Sequence, residues 1–496
     1  MAITANQSLH QPQHLDFKLV LKGSMFFGAF LLAMAVFNPD PVAFAAGAIV
    51  PALCLRIVYT PVMPAAVIYL FVWQWLQIFA RLLQAWIDGE TLSGGLGGPS
   101  VLRAYWYMLA SLIVLAIVFR LVLSRMKPPT QAQRMAHYKW TVRDVGMFYA
   151  LGYVVSMVGA MAGRFSGGLA QPGEVVGYIK VVALFTLFVY CMSTGRGRKL
   201  MLGVILFEIG MGFTGILSDF RSVFIFLGIA AVVSRVRWGF SAGMGGLFGL
   251  AVLVMLALFW TSVKMDYRQY ASGGEESQAI VVPLADRMAY LGDKALHVGD
   301  TDFGDAAYSL LIRFAYVEIT GSVIDVQEQS PEVIPMRQWK EALAHVFQPR
   351  VLFPDKPDLL DSEVYARLTR RNPFEAMSAG TSISVGYMGE NFADLGFPAM
   401  LAGVAALGAI LAGCLRVLMS FNLPQVMREG IAMAFAYGMC RDGVEVSLPK
   451  MLGAALMFFI IFGTVTKFGA PRVVNWLNRA GTPAKAKPRP GGARRL

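Results

Sequence analysis

The chain has 496 residues, 56% of them hydrophobic and only 15% charged, with a net charge of +12 and a mean hydropathy of +0.56. Water-soluble globular chains carry about 25% charged residues, so this composition excludes an ordinary soluble domain and points to the bilayer. The positive balance does not indicate nucleic-acid binding, because it sorts by connection along the chain.

The opening "MAITANQSLHQPQHLDFK" is polar and runs straight into a full-length apolar stretch, so residues 1–18 read as a cytoplasmic tail and not as a cleaved signal. Apolar runs then fall at 19–38, 42–59, 62–83, 104–124, 145–163, 176–193, 200–217, 221–235 and 239–262, and again at 396–418, 428–446 and 450–470. A run of about 18 to 25 residues crosses roughly 30 Å of hydrocarbon, and 221–235 is the short member of the set. The predicted organisation is a membrane domain of nine spans over 19–262, a loop over 263–395, three further spans over 396–470, and a basic tail over 471–496, expected to be disordered beside anionic lipid.

Orientation follows from lysine and arginine in the connections. With the N-terminus cytoplasmic, "RMKPPTQAQRMAHYKWTVR", "STGRGRK", "RVR" and the tail all fall inside, and the glycine-rich "WIDGETLSGGLGGPS" and "SGGLAQPGE" fall outside. The expected fold is an all-α polytopic membrane protein of about twelve transmembrane helices with both termini in the cytoplasm. Residues 264–394, on the outer side, hold 20 acids against 12 bases, a net of −8 that leaves +20 for the rest. Cys54, Cys191, Cys414 and Cys440 all lie in or beside the apolar runs, so neither a disulfide framework nor a zinc site is indicated.

The long loop has helical pattern of its own. "FGDAAYSLLIRFAYVEITGSVIDV" sets Leu310, Leu311, Phe314, Val317 and Val323 near helical period, and "PMRQWKEALAHVF" does the same with Met336, Trp339, Leu343 and Val346. Such amphipathic helices lie in the interfacial plane or pack on the outer surface of the membrane domain. "FQPRVLFPDKP", residues 347–357, is a proline-stiffened elbow charged by Arg350, Asp355 and Lys356. "GTSISVGYMGENFADLGFPAMLAG", residues 380–403, brings Glu390, Asn391 and Asp394 to the start of the tenth span. A carboxylate in the low dielectric there is poised as a base, or else serves as an acid at a helix N-terminus.

Taken together, "FQPRVLFPDKP" and "SVGYMGENFADLGFPAML" resemble the signature of bacterial oligosaccharide repeat-unit polymerases, the Wzy-type O-antigen polymerase group. The likeness covers roughly 60 residues closely, with hydropathy and loop placement over the remainder. The chain departs from the arginine-x10-glycine pattern of some O-antigen polymerases, since the residue that follows Arg164 after ten intervening positions is Val175. The resemblance implies a GT-C-like bundle of the kind found in lipid-dependent glycosyltransferases, with a lateral groove for a polyprenyl chain. It also implies transfer of a glycan from a polyprenyl-diphosphate-linked oligosaccharide to the next carrier-linked unit at the outer face of the bacterial inner membrane, for a surface polysaccharide or exopolysaccharide. The donor is already activated, and the chain has neither a P-loop nor a Rossmann fingerprint.

That chemistry needs guanidinium groups around a leaving diphosphate and a base for the acceptor hydroxyl. The candidates for the diphosphate are Arg350, Lys356, Arg313, Arg221, Arg441 and Arg164; those for the base are Glu390 first and His345 second. Arg221 with Asp219, and Arg441 with Asp442, are equally well placed to neutralise one another at helix ends. "GDTDFGD" (Asp300, Asp302, Asp305) is similar to the Asp-x-Asp metal site of nucleotide-sugar transferases only over three letters, so a reaction without metal or other cofactor is expected. Implied partners are the bilayer, a chain-length regulator and a flippase, with no nucleic acid. An O-antigen-ligase-like transferase would share this layout. A lipid-linked sugar transporter or flippase would instead need ionisable groups deep in the spans, where Glu208 is nearly alone.

Overall fold

The computed structural model describes residues 14–94, 98–165, 169–215, 219–274, 280–297, 299, 302–331, 334–348, 353, 355–356, 360–372 and 383–480. Among these residues the chain is helical throughout apart from one isolated antiparallel bridge between His14 and Arg237. Helices α1 (Phe17–Met34), α2 (Pro41–Val58), α3 (Ala66–Ile87) and α4 (Gly98–Leu123) come first. A short α5 (Gln131–Met135) leads to α6 (Val142–Phe165), α7 (Ala170–Gly177), α8 (Ile179–Thr194), α9 (Arg198–Gly212), α10 (Arg221–Val233) and α11 (Phe240–Ala271). The long loop carries α12 (Leu284–Leu296), α13 (Phe303–Phe314), α14 (Val317–Gln329), α15 (Arg337–Phe347), α16 (Asp361–Thr369) and α17 (Tyr387–Leu395). Helices α18 (Met400–Ser420), α19 (Gln425–Cys440), α20 (Leu448–Thr464) and α21 (Ala470–Ala480) complete the chain.

Nine helical stretches among the described residues are long and apolar enough to cross a membrane, which makes this an all-helical multi-pass membrane protein. Three of the twelve expected runs form shorter helices: α9 has 15 residues, α10 has 13 and α19 has 16. The last helix runs past its expected end. The tail was expected to lose structure from residue 471, yet a π-helical turn (Val465–Gly469) passes the chain on to α21. Val473, Val474 and Leu477 share a face there, Leu477 is fully buried, and Asn478 Oδ1 accepts the Trp140 indole N–H at 3.0 Å. Residues 481–496 lie outside the described residues.

The connections rich in arginine and lysine converge on one end of the bundle. There Glu429 Oε2 accepts the Ala65 N–H, Gln133 donates to Asn422, His137 meets Ser193, and His14 Nδ1 meets the Arg235 carbonyl. The long loop occupies the other end, tied down by Tyr308 to Asp88, Arg81 to Glu318, and Ser100 to Asp325. Those contacts show that the loop dips inward. Tyr308, early in α13, meets Asp88 beyond the end of α3, whereas Phe314 at the other end of α13 packs edge-on against Trp73 at 5.4 Å. Helix α13 therefore descends along α3, the chain turns at Ala315–Tyr316, and α14 climbs back along α4. The pattern over 303–326 suggested one continuous apolar face; the turn splits it, and α14 buries Val317, Thr320, Gly321, Val323 and Ile324 instead. Gly321 allows this approach, since a Cβ there would stand 2.8 Å from the Val101 side chain. Helix α15 packs against α20 and α17 through Trp339, Ala342 and Val346, leaving Leu343 exposed.

Candidate functional site

Short helices create a recess beneath this hairpin. Helix α19 ends at Cys440, and the following turn is fastened to the middle of α3: Gln77 donates to the Asp442 carbonyl at 3.0 Å and accepts the Val444 N–H at 2.7 Å. Gln77 lies ten residues short of Ile87, so this turn sits about 15 Å below the outer end of α3. Gly443 (φ +68°) makes the fit possible, because a Cβ would fall 1.7 Å from Gln77 Oε1. The segment before α17 reaches the same depth. Tyr387 donates its N–H to the Val446 carbonyl at 2.8 Å and its hydroxyl to Gln74 at 2.6 Å. Irregular backbone thus survives inside the bundle because protein groups satisfy it.

The recess gathers charge from five elements. Arg221, at the start of α10, donates to the Arg441 carbonyl at 3.2 Å, lies 3.8 Å from Asp442, and stacks 5.1 Å over the Trp73 ring. The Arg441 guanidinium lies against Tyr437, Asp219, Tyr178 and Asp442, and Tyr437 donates to Asp219. The expected helix-end pairs thus cross over between helices: Arg221 takes Asp442, and Asp219 takes Tyr437. Arg313, carried down by α13, lies close to Lys264 and Arg268 of α11, so that three cations repel one another on this side. Half-buried Glu445 faces Arg313, Lys450 and Arg221, with Asp442 beside it. Burial, helped by Asp442, pushes the Glu445 carboxyl up to about 7 against the pull of those cations.

The structure therefore brings Arg221, Arg313 and Arg441 together and holds Glu390 and Lys356 in other contacts. Glu390 is only 2% exposed, and its Oε2 accepts the Leu448 N–H at 2.6 Å, where it caps the first turn of α20. Burial raises it to about 8, with Asp361 and Asp394 adding to the shift and the Leu448 N–H opposing it. Enclosed in this way, Glu390 has the geometry of a helix-capping acid and no open face toward a sugar hydroxyl. Asp394 likewise accepts the N–H groups of Gln338 and Trp339, both at 2.9 Å, and Asn391 accepts the Trp339 indole N–H at 2.9 Å. Together they clamp α15 to α17.

Lys356 donates to the carbonyls of His345 and Gln348, closing the C-terminal end of α15. His345, half-buried on α15, belongs to this docked element. Asp302 caps α13 by accepting from Gly304 and Asp305. Arg350 and Asp300 lie outside the described residues, as does the side chain of Arg164, whose backbone is the penultimate residue of α6. Glu208 is buried and satisfied, taking the Tyr149 hydroxyl at 2.6 Å and Lys180 at 2.9 Å.

Sequence reasoning missed Glu445, Lys450, Lys264 and Arg268. A signal existed in "CRDGVEVSLPK", where four charged residues and a glycine interrupt two apolar runs, the mark of a broken helix lining a polar space. The fold and this recess define a multi-pass helical membrane protein with a charged, inward-set hollow at the end covered by its long loop. No family model, curated protein or solved structure matches the chain.

Proposed function

We propose that this protein polymerises polyprenyl-diphosphate-linked oligosaccharide repeat units at the outer face of the bacterial cytoplasmic membrane. The reading counts α9, α10 and α19 as spans, twelve in all, with both termini cytoplasmic and a GT-C-like bundle. The observation that carries it is the cluster of Lys264, Arg268 and Arg313, of which Arg313 also faces Glu445. Mutually repelling cations at this depth are relieved by a bound anion of high charge density, and a lipid diphosphate brings one from the membrane side.

The chemistry follows from that placement. The acceptor hydroxyl attacks the anomeric carbon of the donor, its oxygen forms the new glycosidic bond, and the bond from that carbon to the diphosphate breaks. The electron pair leaves with the lipid diphosphate, where Arg313, Arg268 and Arg221 stabilise it. The hydroxyl proton passes to Glu445, whose carboxyl near neutrality is matched to the task. Glu390 and Asp394 position the loop and the start of α20 around the recess without touching the reacting atoms.

A null strain complemented with Arg313→Lys, Arg313→Ala and Glu445→Gln tests the reading, with membrane expression confirmed for each. The expected result is collapse of the polymer ladder to a single repeat unit on its acceptor for Arg313→Ala and Glu445→Gln, and partial loss for Arg313→Lys. A full ladder in all three overturns it. Long polymer stranded on the carrier would identify a ligase instead.

A further inference from the structure

A second site lies at the opposite end of the bundle. A cavity of about 1030 Å³ is walled by Arg134, Arg198, Arg235, Arg237 and Arg428, with Glu429 as the one acid on its lining among the described residues. Arg428 and Arg441 are both on or next to α19, 13 residues apart, so this cavity stands about 20 Å from the recess. Sorting of basic residues to one side of a membrane accounts for the exposed arginines, since Arg134, Arg198, Arg235 and Arg237 are all solvent-facing. It does not account for Arg428, which is 6% exposed and whose buried Nε has no hydrogen-bond partner among the described residues. A buried guanidinium N–H left open is costly unless something else fills it. Glu429 attracts it through its charge but does not bond this N–H, and its Oε2 accepts the Ala65 N–H at 3.0 Å.

The backbone adds to the same preference. Helices α9, α11 and α20's neighbour α19 all begin on the cavity wall, through Arg198, Ser241 and Gln425 in their first turns. Helix N-termini present free N–H groups and the positive end of the helix dipole, which favour anions. The volume exceeds that of a single inorganic phosphate and lies at the upper end of small-molecule sites, near 1,000 Å³ on the order of a nucleotide or a lipid headgroup.

From these observations we infer that this cavity is a binding site for a phosphate-bearing ligand, with Arg428 as its buried anchor and Arg198 and Arg235 as its outer clamp. The ligand is either a soluble phosphate ester or the headgroup of an anionic phospholipid. The inference is independent of the reaction proposed for the recess.

The test uses the purified full-length protein. Delipidated protein in neutral detergent is titrated with inorganic pyrophosphate by calorimetry. Protein in phosphatidylglycerol or phosphatidylcholine nanodiscs is examined by native mass spectrometry for retained lipid. Each measurement is repeated on Arg428→Gln and on the double variant Arg198→Gln/Arg235→Gln. Saturable pyrophosphate binding that weakens at least about tenfold in the variants supports a soluble phosphate ligand. Retention of phosphatidylglycerol but not phosphatidylcholine, lost in the variants, supports a lipid headgroup. Absence of both, or binding that the variants leave unchanged, overturns the proposal. If Arg428→Gln fails to fold, the double variant on the cavity rim decides the matter.

Discussion

Replacing Glu445 by glutamine removes the one carboxyl of the recess that, among the described residues, combines partial burial with proximity to Arg313 and Arg221. With its proton held up to about 7, the carboxyl is about 9% ionised at pH 6 and about 91% ionised at pH 8, so a rate that needs the base form rises about tenfold over that interval. The sign is fixed by chemistry: the deprotonated form accepts the hydroxyl proton, so activity is gained as pH rises through 7. Glu445→Gln keeps the shape and loses the proton acceptor, which lowers turnover by about 10² to 10⁴ and flattens the pH profile. The assay is chain extension by purified protein in proteoliposomes with a lipid-linked repeat unit, followed by gel electrophoresis from pH 5.5 to 8.5. A variant that keeps both the wild-type rate and the wild-type rise with pH would refute the assignment of Glu445 as base.

Three other outcomes are expected. Glu390→Gln should leave the polymer ladder intact and change stability in a pH-dependent way. The folded-state value of Glu390 lies above its unfolded one, so the stability tied to its proton is complete below about pH 4.5 and drains away as pH climbs to about 8, by on the order of 4 to 5 kcal/mol in the limit. The apparent Tm of the wild type should therefore fall relative to Glu390→Gln between pH 5 and 8 in detergent, and parallel curves would contradict the buried-acid reading. Gly443→Ala drives a methyl group into Gln77 and strains a left-handed residue, at roughly 3 to 4 kcal/mol once the two Gln77 hydrogen bonds are counted. It should reduce folded yield sharply, whereas Gly413→Ala, with open space around it, should be harmless. Asp394→Ala frees the Gln338 and Trp339 N–H groups, and faster amide exchange confined to α15 is the expected signature.

Hydrophobic runs and basic connections made the bundle legible in the sequence, because bilayer thickness imposes a length and a polarity that composition records directly. Nine of the runs became long apolar helices, and the connections assigned to one side do meet at one end. The tip of α13 was not legible, since its descent depends on where Gly321 meets Val101 and on a turn at Ala315–Tyr316 that no proline or glycine announces. Arg221, Arg313 and Arg441 were found from their types and position between apolar runs. Glu445 was missed for a physical reason: what sets it apart from Glu390 is how deeply each is enclosed, and enclosure is a property of the packed molecule. The carboxyl just ahead of the tenth run proved to be a cap, and the one in the charged turn proved to be half-open.

Helix α11 has a consequence of its own. None of its most apolar window is buried, and Phe240, Leu247, Phe248 and Met255 face outward. Lys264 is itself carried on this outward-facing wall. A molecule anchored by a prenyl tail can approach that wall by gliding in the plane of the sheet it is dissolved in, without ever leaving oil for water. If the proposed lipid-linked donor is the substrate, its encounter rate is governed by its abundance per unit of membrane area, and dilution with inert phospholipid is expected to slow the protein even when the total amount in the tube is unchanged.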